Sequence, residues 1–394
     1  MKTPAIHANQ SHAPCSLSEQ LSNPLARVEV HSGLEQVTPK WRELERIGTA
    51  PPYQRLAWFT TWVRTAGAER GEAPLIIAAY DDEDRVTLLL PLVVRSRLGL
   101  KVAFFPGGKH ANFNMPLLRP GLSLCDAQVE WLLSEVSRLQ PDLDLLLLEA
   151  MPPAWESVNN PLIGSSARPH SASGSLLSSS AQGDFDASAR RRKERWRDRQ
   201  MLQHGAVTVH RATSITETSQ ALAAFAAQKA GWCKTRGIED PFRAPGVLAF
   251  FNALAVEPTS GFELYCLTVG DTEAAVAGVL LGRTRASLMF VSYDAGSPVA
   301  AYSPGIRLIQ EVIADTRQRG FAEFDFGLGE GGYKARFGAQ LELSAVLIRP
   351  LTPRGRLGAL LVEGKRLTKI VVKRQPWLAG LVHQLGSWKR AAPL

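Results

Sequence analysis

The chain reads as an α/β (α+β) protein of two domains, each a mixed, mostly antiparallel sheet flanked by helices. Three observations predict this. A length of 394 residues suits two ordinary cores plus tails better than one. The second half shows three consecutive strand-like runs, Phe262 to Val269, Ala274 to Gly282 and Ser287 to Tyr293, then an amphipathic helix from Pro304 to Arg319 and a strand from Phe321 to Phe326. The first half holds strands and helices of its own and closes on a buried strand from Leu143 to Glu149.

In order along the chain, residues 1–27 lack periodicity and read as a flexible leader. Residues 28–164 make the first domain. Trp41 to Ile47 and Ala57 to Val63 are expected helices; Pro74 to Tyr80 and Val86 to Val94 are strands joined by the acidic turn Asp81 to Asp84; Val102 to Phe105 is another strand; Ala127 to Leu139 is a helix. Residues 165–189 follow as a serine-rich linker or loop, with eight serines between Ser165 and Ser180. Residues 190–350 make the second domain. It opens with a basic helix from Ala187 to His204 and a strand at Val207 to His210, continues through helices at Thr218 to Trp232 and Pro245 to Ala255, and ends in a strand from Leu341 to Ile348. Residues 351–394 are a basic, amphipathic tail.

Composition narrows the function classes. Hydrophobic content of 45% and charged content of 21% fit a globular chain. No secretory signal follows Lys2, and no apolar run reaches bilayer length, so a cytoplasmic protein is expected. The four cysteines are widely spaced, which implies neither a disulfide framework nor a metal site. The net charge of +8 sits almost wholly in the tail, where nine Lys and Arg face one acid, Glu363. With no zinc finger or aromatic RNA-binding signature, no nucleic-acid partner is expected. The tail mixes cations with Leu367, Ile370, Trp377 and Leu381, a pattern suited to anionic lipid at the inner membrane face or to packing on the body.

The chemistry begins at Ser303-Pro304-Gly305-Ile306-Arg307. A Ser-Pro-Gly turn that opens a helix leaves backbone N–H groups unpaired and aims the positive end of the helix dipole at an anion such as a pyrophosphate. The same residues also serve as an ordinary helix cap. Downstream lie Phe324-Asp325-Phe326-Gly327 and then Tyr333 and Lys334; upstream, the first half carries the loop Pro106 to Asn114, dense in donors and acceptors.

Together these pieces resemble GNAT-related proteins of the FemAB-like and CelD-type (BcsL-type) families, the latter associated with cellulose or other exopolysaccharide biosynthesis. The resemblance rests on Arg190 to Gly205, Gln228-Lys229, Arg236-Gly237-Ile238, Ser292-Tyr293-Asp294, Ser303-Pro304-Gly305 and Phe324 to Glu330 with Tyr333-Lys334, and in the first half on Pro106 to Asn114. It implies a tandem GNAT architecture and acetyl-CoA or another acyl-CoA as donor, without a metal.

Direct transfer from a thioester to an amine needs a base, oxyanion donors and an acid for the thiolate. Tyr333 is the candidate acid, or a tyrosine packed at the domain edge. Glu330 and Asp294 are candidate bases, or solvated and capping carboxylates. Lys334 either neutralises phosphate or holds an acceptor carboxylate, or is a solvated lysine. Asp325 is an anchor within its strand or a site residue. Ser303, Pro304, Gly305, Ile306 and Arg307 form the cofactor cradle, with Arg307 adding charge. Lys109, His110, Asn112 and Asn114 would hold the acceptor from the first half, His110 being a further base, and Gln228 and Lys229 would reach the same cleft. The acceptor class is a small molecule or glycan precursor. Two further readings stay open: FemAB-like aminoacyl transfer from charged tRNA, and a non-catalytic accessory role in polysaccharide synthesis.

Overall fold

The computed structural model describes residues 23–164, 167–170, 172–178, 187–329 and 332–374. The first half gives β1 (Arg27–His31), α1 (Thr38–Ile47), α2 (Leu56–Trp62), β2 (Ala73–Tyr80), β3 (Val86–Arg97), β4 (Leu100–Phe104), β5 (Leu117–Leu118), α3 (Asp126–Leu139), β6 (Leu145–Met151), β7 (Ala154–Trp155), β8 (Val158–Asn159), β9 (Arg168–Pro169) and β10 (Gly174–Ser178). The second gives α4 (Ala187–Leu202), β11 (Val207–Arg211), α5 (Ile215–Arg236), α6 (Val247–Val256), β12 (Phe262–Val269), β13 (Thr272–Leu281), β14 (Arg285–Tyr293), α7 (Pro304–Gln318), β15 (Glu323–Asp325), β16 (Gln340–Glu342), β17 (Ala345–Pro350) and α8 (Pro353–Arg374).

The two main sheets repeat one plan. In the first, β1, β2, β3 and β4 lie side by side, β4 pairs in parallel with β6 after the α3 crossover, and an antiparallel strand follows. In the second, β11 to β14 lie side by side, β14 pairs in parallel with β15 after the α7 crossover, and again an antiparallel strand follows. The parallel pairs need helical crossovers because a tight hairpin cannot join parallel strands. Helix α7 serves its crossover through one apolar stripe: Leu308, Ile309, Val312 and Ile313 are buried. Helix α5 is bounded by a Ser214–Glu217 capping box and by Gly237 in the left-handed region.

The closing strands are exchanged between the halves. Strand β17, from the end of the chain, pairs with β6 in the first sheet. Strand β10, from the serine-rich segment, pairs with β15 and β16 in the second. The expected single strand from Leu341 to Ile348 is therefore corrected: β16 stays in the second sheet, and the chain crosses at Leu343 and Ser344 to place β17 in the first. The expected linker over 165–189 is likewise corrected at Gly174–Ser178, where serines flank Leu176 and Leu177 and the segment pairs as a strand. Order also begins before residue 28, since Leu25 is buried and β1 opens at Arg27; residues 1–22 lie outside the described residues.

The halves meet in a continuous aromatic core. The Trp58 and Trp62 rings lie 4.8 Å and 5.0 Å from Phe250 of α6, and Phe225 stacks on Phe290 at 3.9 Å. Gly246, at φ +71°, lets α6 begin against the backbone of Ala66, where any Cβ would collide.

Candidate functional site

The second sheet opens where a ligand arm could lie. Strands β14 and β15 share three rungs, Arg285 with Glu323, Ala286 with Phe324, and Ser287 with Asp325. Beyond Ser287 they part: β14 continues to Tyr293, while the Phe326 amide bonds to Ser175 of β10. A bulge in β14 between the Gly278–Phe290 and Val279–Leu288 pairs leaves Met289 as the extra residue in the opening. The V thus runs from a closed end at Ser287 and Asp325 toward the end of β14 and the start of α7.

At the open end, Ser303 takes φ +60° and its carbonyl accepts the amides of Ile306 at 3.0 Å and Arg307 at 3.2 Å. Pro304 has no N–H and fits the first helical position. The dipole of a helix of 15 residues points its positive end here. Helix α4 and the turn after it lie across this entrance: Trp196 of the helix and His204 of the turn flank Tyr302 at ring distances of 5.8 Å and 6.0 Å, and Gln310 donates to Glu194 at 2.6 Å. Arg307 is corrected as a free phosphate ligand, because its guanidinium is paired with Asp198 at 3.1 Å and with Glu311.

At the closed end the first half inserts Asn112. Its Nδ2 donates to the Leu288 carbonyl at 3.4 Å. Gly327, at φ +75°, makes room for it, since a Cβ there would stand 2.9 Å from the same nitrogen. Around Asn112 lie Tyr53, Ser287 and Asp325, all fully buried. Asp325 Oδ1 accepts the Gly327 amide at 2.7 Å. The Tyr53 hydroxyl, the Ser287 hydroxyl and Asp325 Oδ2 make no well-formed hydrogen bond, yet they are close enough that Ser287 and Asn112 favour the phenolate while burial and the Asp325 charge oppose it more strongly, leaving the phenol raised. Burial pushes the Asp325 carboxyl up to about 7, against the pull of Arg285 and the Gly327 amide. Arg285 is itself buried, bonded to Glu323 at 2.8 Å and Glu342 at 2.9 Å, with its guanidinium 4.1 Å above the Trp155 ring.

The other expected residues separate. Tyr333 stays near the site, its ring 6.3 Å from Phe326 and its phenol pushed up to about 12 by burial and by Asp325. Lys334 is corrected from phosphate ligand to loop clamp: it is buried, and Nζ donates to the carbonyls of Gly327 at 2.8 Å and Gly329 at 2.9 Å. Asp294 accepts the Gly296 amide at 2.9 Å and shapes its own turn. Glu330 lies outside the described residues. His110 is corrected as a base, because it packs 4.8 Å from Phe242 and 5.6 Å from Phe251 and burial drives its imidazole down to about 4. Asn114 is consumed by Gln54 at 2.9 Å and the Glu149 carbonyl at 3.1 Å. Gln228 ties α5 to the sheet, donating to the Glu273 carbonyl at 2.8 Å and accepting from Ser292 at 2.7 Å. Lys229 lies over the Trp232 ring at 4.4 Å, and Lys109 is exposed. Sequence reading missed Tyr53 and Ser287; a serine midway through an apolar strand was the available signal for the latter. Among the described residues no group of three or more His, Cys, Asp or Glu could hold a metal ion.

Residues 188–335 match the family model of an acetyltransferase (GNAT) domain. No curated protein matches the chain. Among solved structures, FemX aligns at a TM-score of 0.53 and 10% identity, covering 82% of this chain and 97% of that one. A conserved protein of unknown function from Bacteroides thetaiotaomicron VPI-5482 aligns at 0.52 and 10% identity, covering 83% and 100%. L-PGS from Bacillus licheniformis aligns at 0.50 and 10% identity, covering 84% and 96%. The chain has a tandem GNAT-like fold, and its second half is a GNAT-type acyltransferase domain.

Proposed function

We propose that the protein is an acyl-CoA-dependent N-acetyltransferase acting on a sugar, amino sugar or other cell-envelope or exopolysaccharide precursor, by direct transfer at the seam between its halves. The observation that carries this is the course of the V, which links the dipole-positive start of α7 to a closed end furnished with polar groups from both halves. The donor's pyrophosphate would lie at the α7 turn, held by backbone amides, and its thioester arm along β14 toward the bulge at Met289. When bound, the acyl-CoA supplies the activated carbonyl. Residues 190–350 would then provide the donor side and residues 28–164 the acceptor side.

The CelD-type resemblance of the sequence supports a polysaccharide precursor as acceptor and a cytoplasmic setting. No described helix is long and apolar enough to cross a membrane. Helix α8 does present exposed Leu357, Leu360, Leu361 and Leu367 beside exposed Arg354, Arg356 and Lys365, which supports peripheral contact with anionic lipid. A second reading, aminoacyl transfer from charged tRNA as in FemAB-like proteins, is supported by the sequence resemblance to that family and by the likeness of the fold to FemX.

A screen of amines, amino sugars and sugars with acetyl-CoA, read as thiol release, tests the assignment. An amino sugar accelerating release is expected, and Tyr333→Phe should slow turnover while sparing donor affinity. Turnover only with aminoacyl-tRNA would replace the first reading by the second.

A further inference from the structure

Asp325 stands apart from every other carboxylate near the V. Asp294 is spent on its turn, and Glu323 and Glu342 are spent on Arg285. Asp325 keeps one oxygen, Oδ2, without a partner in a fully buried setting, beside the Ser287 and Tyr53 hydroxyls, which lie close to each other and to Asn112 but make no well-formed hydrogen bond. Orphaned polar atoms of this kind are costly in a folded core, and three in one place, drawn from both halves of the chain, call for a polar group that visits them. Their position is the closed end of the V, the rung at which β14 and β15 separate.

Resting on the acyl-transfer reading, we propose that Asp325 is the proton acceptor of the reaction, with Tyr53 and Ser287 as positioning residues that orient the acceptor's nitrogen. The acceptor's ammonium gives one proton to Asp325 Oδ2. The nitrogen lone pair then forms a bond to the thioester carbonyl carbon, and the tetrahedral intermediate collapses as the carbon–sulfur bond breaks and its electron pair leaves on the thiolate. The Tyr333 hydroxyl gives its proton to that thiolate and takes the second nitrogen proton in its place, giving the amide and free thiol, and Asp325 gives up its proton once the products leave. The charged and titratable groups facing Asp325 are Arg285 from β14, Glu342 from β16, Lys334 from the turn that roofs it, Tyr333 beside that turn, and Tyr53 from the first half. A carboxyl held up to about 7 accepts a proton readily only above neutrality, so the rate should fall on the acid side.

The full chain is tested in two ways. Infrared titration should show a carboxylic acid band that disappears with a midpoint near 7 and is missing in Asp325→Asn. With acetyl-CoA and methylamine as probe acceptor, Asp325→Asn should lose about 100-fold or more in turnover together with the acid limb of the pH profile, while acetyl-CoA affinity stays within about twofold. Tyr53→Phe, which removes a hydroxyl that orients the acceptor, should raise the KM for methylamine about tenfold while the acid limb stays where it is in the parent. If Asp325→Asn does not fold, Asp325→Glu decides the matter: its longer carboxylate should move the acid limb, and a limb identical to the parent's would overturn the inference. Turnover within about threefold of the parent in Asp325→Asn, with the acid limb intact, would overturn the inference. A parent that binds no acetyl-CoA sinks the donor reading and this inference with it, whereas a parent that acetylates methylamine as fast as Asp325→Asn does overturns the inference alone.

Discussion

Asp325 on β15 and Ser287 on β14 are register partners in the last rung joining these parallel strands, and both side chains are fully buried there. That rung fixes where the second sheet splits and what stands at the bottom of the split. Burial at this rung and elsewhere in the two halves sets four outcomes, each open to direct measurement.

The Asp325 carboxyl is held up to about 7 by burial, whereas an unfolded aspartate titrates near about 3.9. The folded state therefore binds this proton more tightly. Its contribution to stability is complete below about pH 4 and is lost as the pH rises toward about 7. Urea unfolding of the parent should show this loss, and Asp325→Asn should remove it, the two curves diverging by at most roughly 3 to 4 kcal/mol. Parallel curves across that range would show that Asp325 does not titrate there.

His110 carries the opposite sign. Burial, with Arg70 and Lys109 nearby, drives its imidazole down to about 4, below the unfolded value of about 6.5. Its contribution is complete above about pH 6.5 and is lost as the pH falls toward about 4. His110→Gln, which cannot titrate, should flatten the acid side of the stability profile by about 3 kcal/mol. An unchanged profile would mean that the ring is already charged inside the aromatic core.

Lys334→Met keeps the apolar stem and removes the ammonium that holds the Gly327 and Gly329 carbonyls. Loss of charged hydrogen bonds of this kind costs about 1.5 to 3 kcal/mol. Thermal unfolding should reveal that loss, while acetyl-CoA affinity should stay within about twofold because the ammonium is already spent on those carbonyls. A large fall in affinity with no loss of stability would restore its role as a phosphate ligand.

Leu347 lies in the last strand, buried against the first sheet. Leu347→Ala should cost about 2 to 5 kcal/mol and lower the unfolding temperature of both halves together, because β10 and β17 cross between them. Two separate transitions, with only the first half affected, would contradict an interlocked fold.

Much of this was legible in the sequence because it is local. The apolar runs of β12, β13 and β14 and the stripe of α7 carry their own periodicity. The exchange of β10 and β17 was not legible, since pairing between residues as distant as Leu148 and Leu347 leaves no local pattern and serines around Leu176 disguise a strand as a linker. The cofactor turn was found because Ser-Pro-Gly has a backbone consequence wherever it occurs. Roles that depend on burial escaped: Lys334 and His110 read as reactive from their chemistry, and only packing shows one clamping a loop and the other filling an aromatic core. Tyr53 gave no signal, because the residues that make it matter lie in the other half of the chain.

The central claim is that the start of α7 binds an acyl-CoA, and calorimetric titration with acetyl-CoA tests it most directly. One molecule should bind per chain, and Ile306→Glu, which places a carboxylate in the first turn where the dipole tolerates it, should weaken binding about tenfold without lowering the unfolding temperature. Absence of binding by acetyl-CoA and by every other short acyl-CoA would contradict the account.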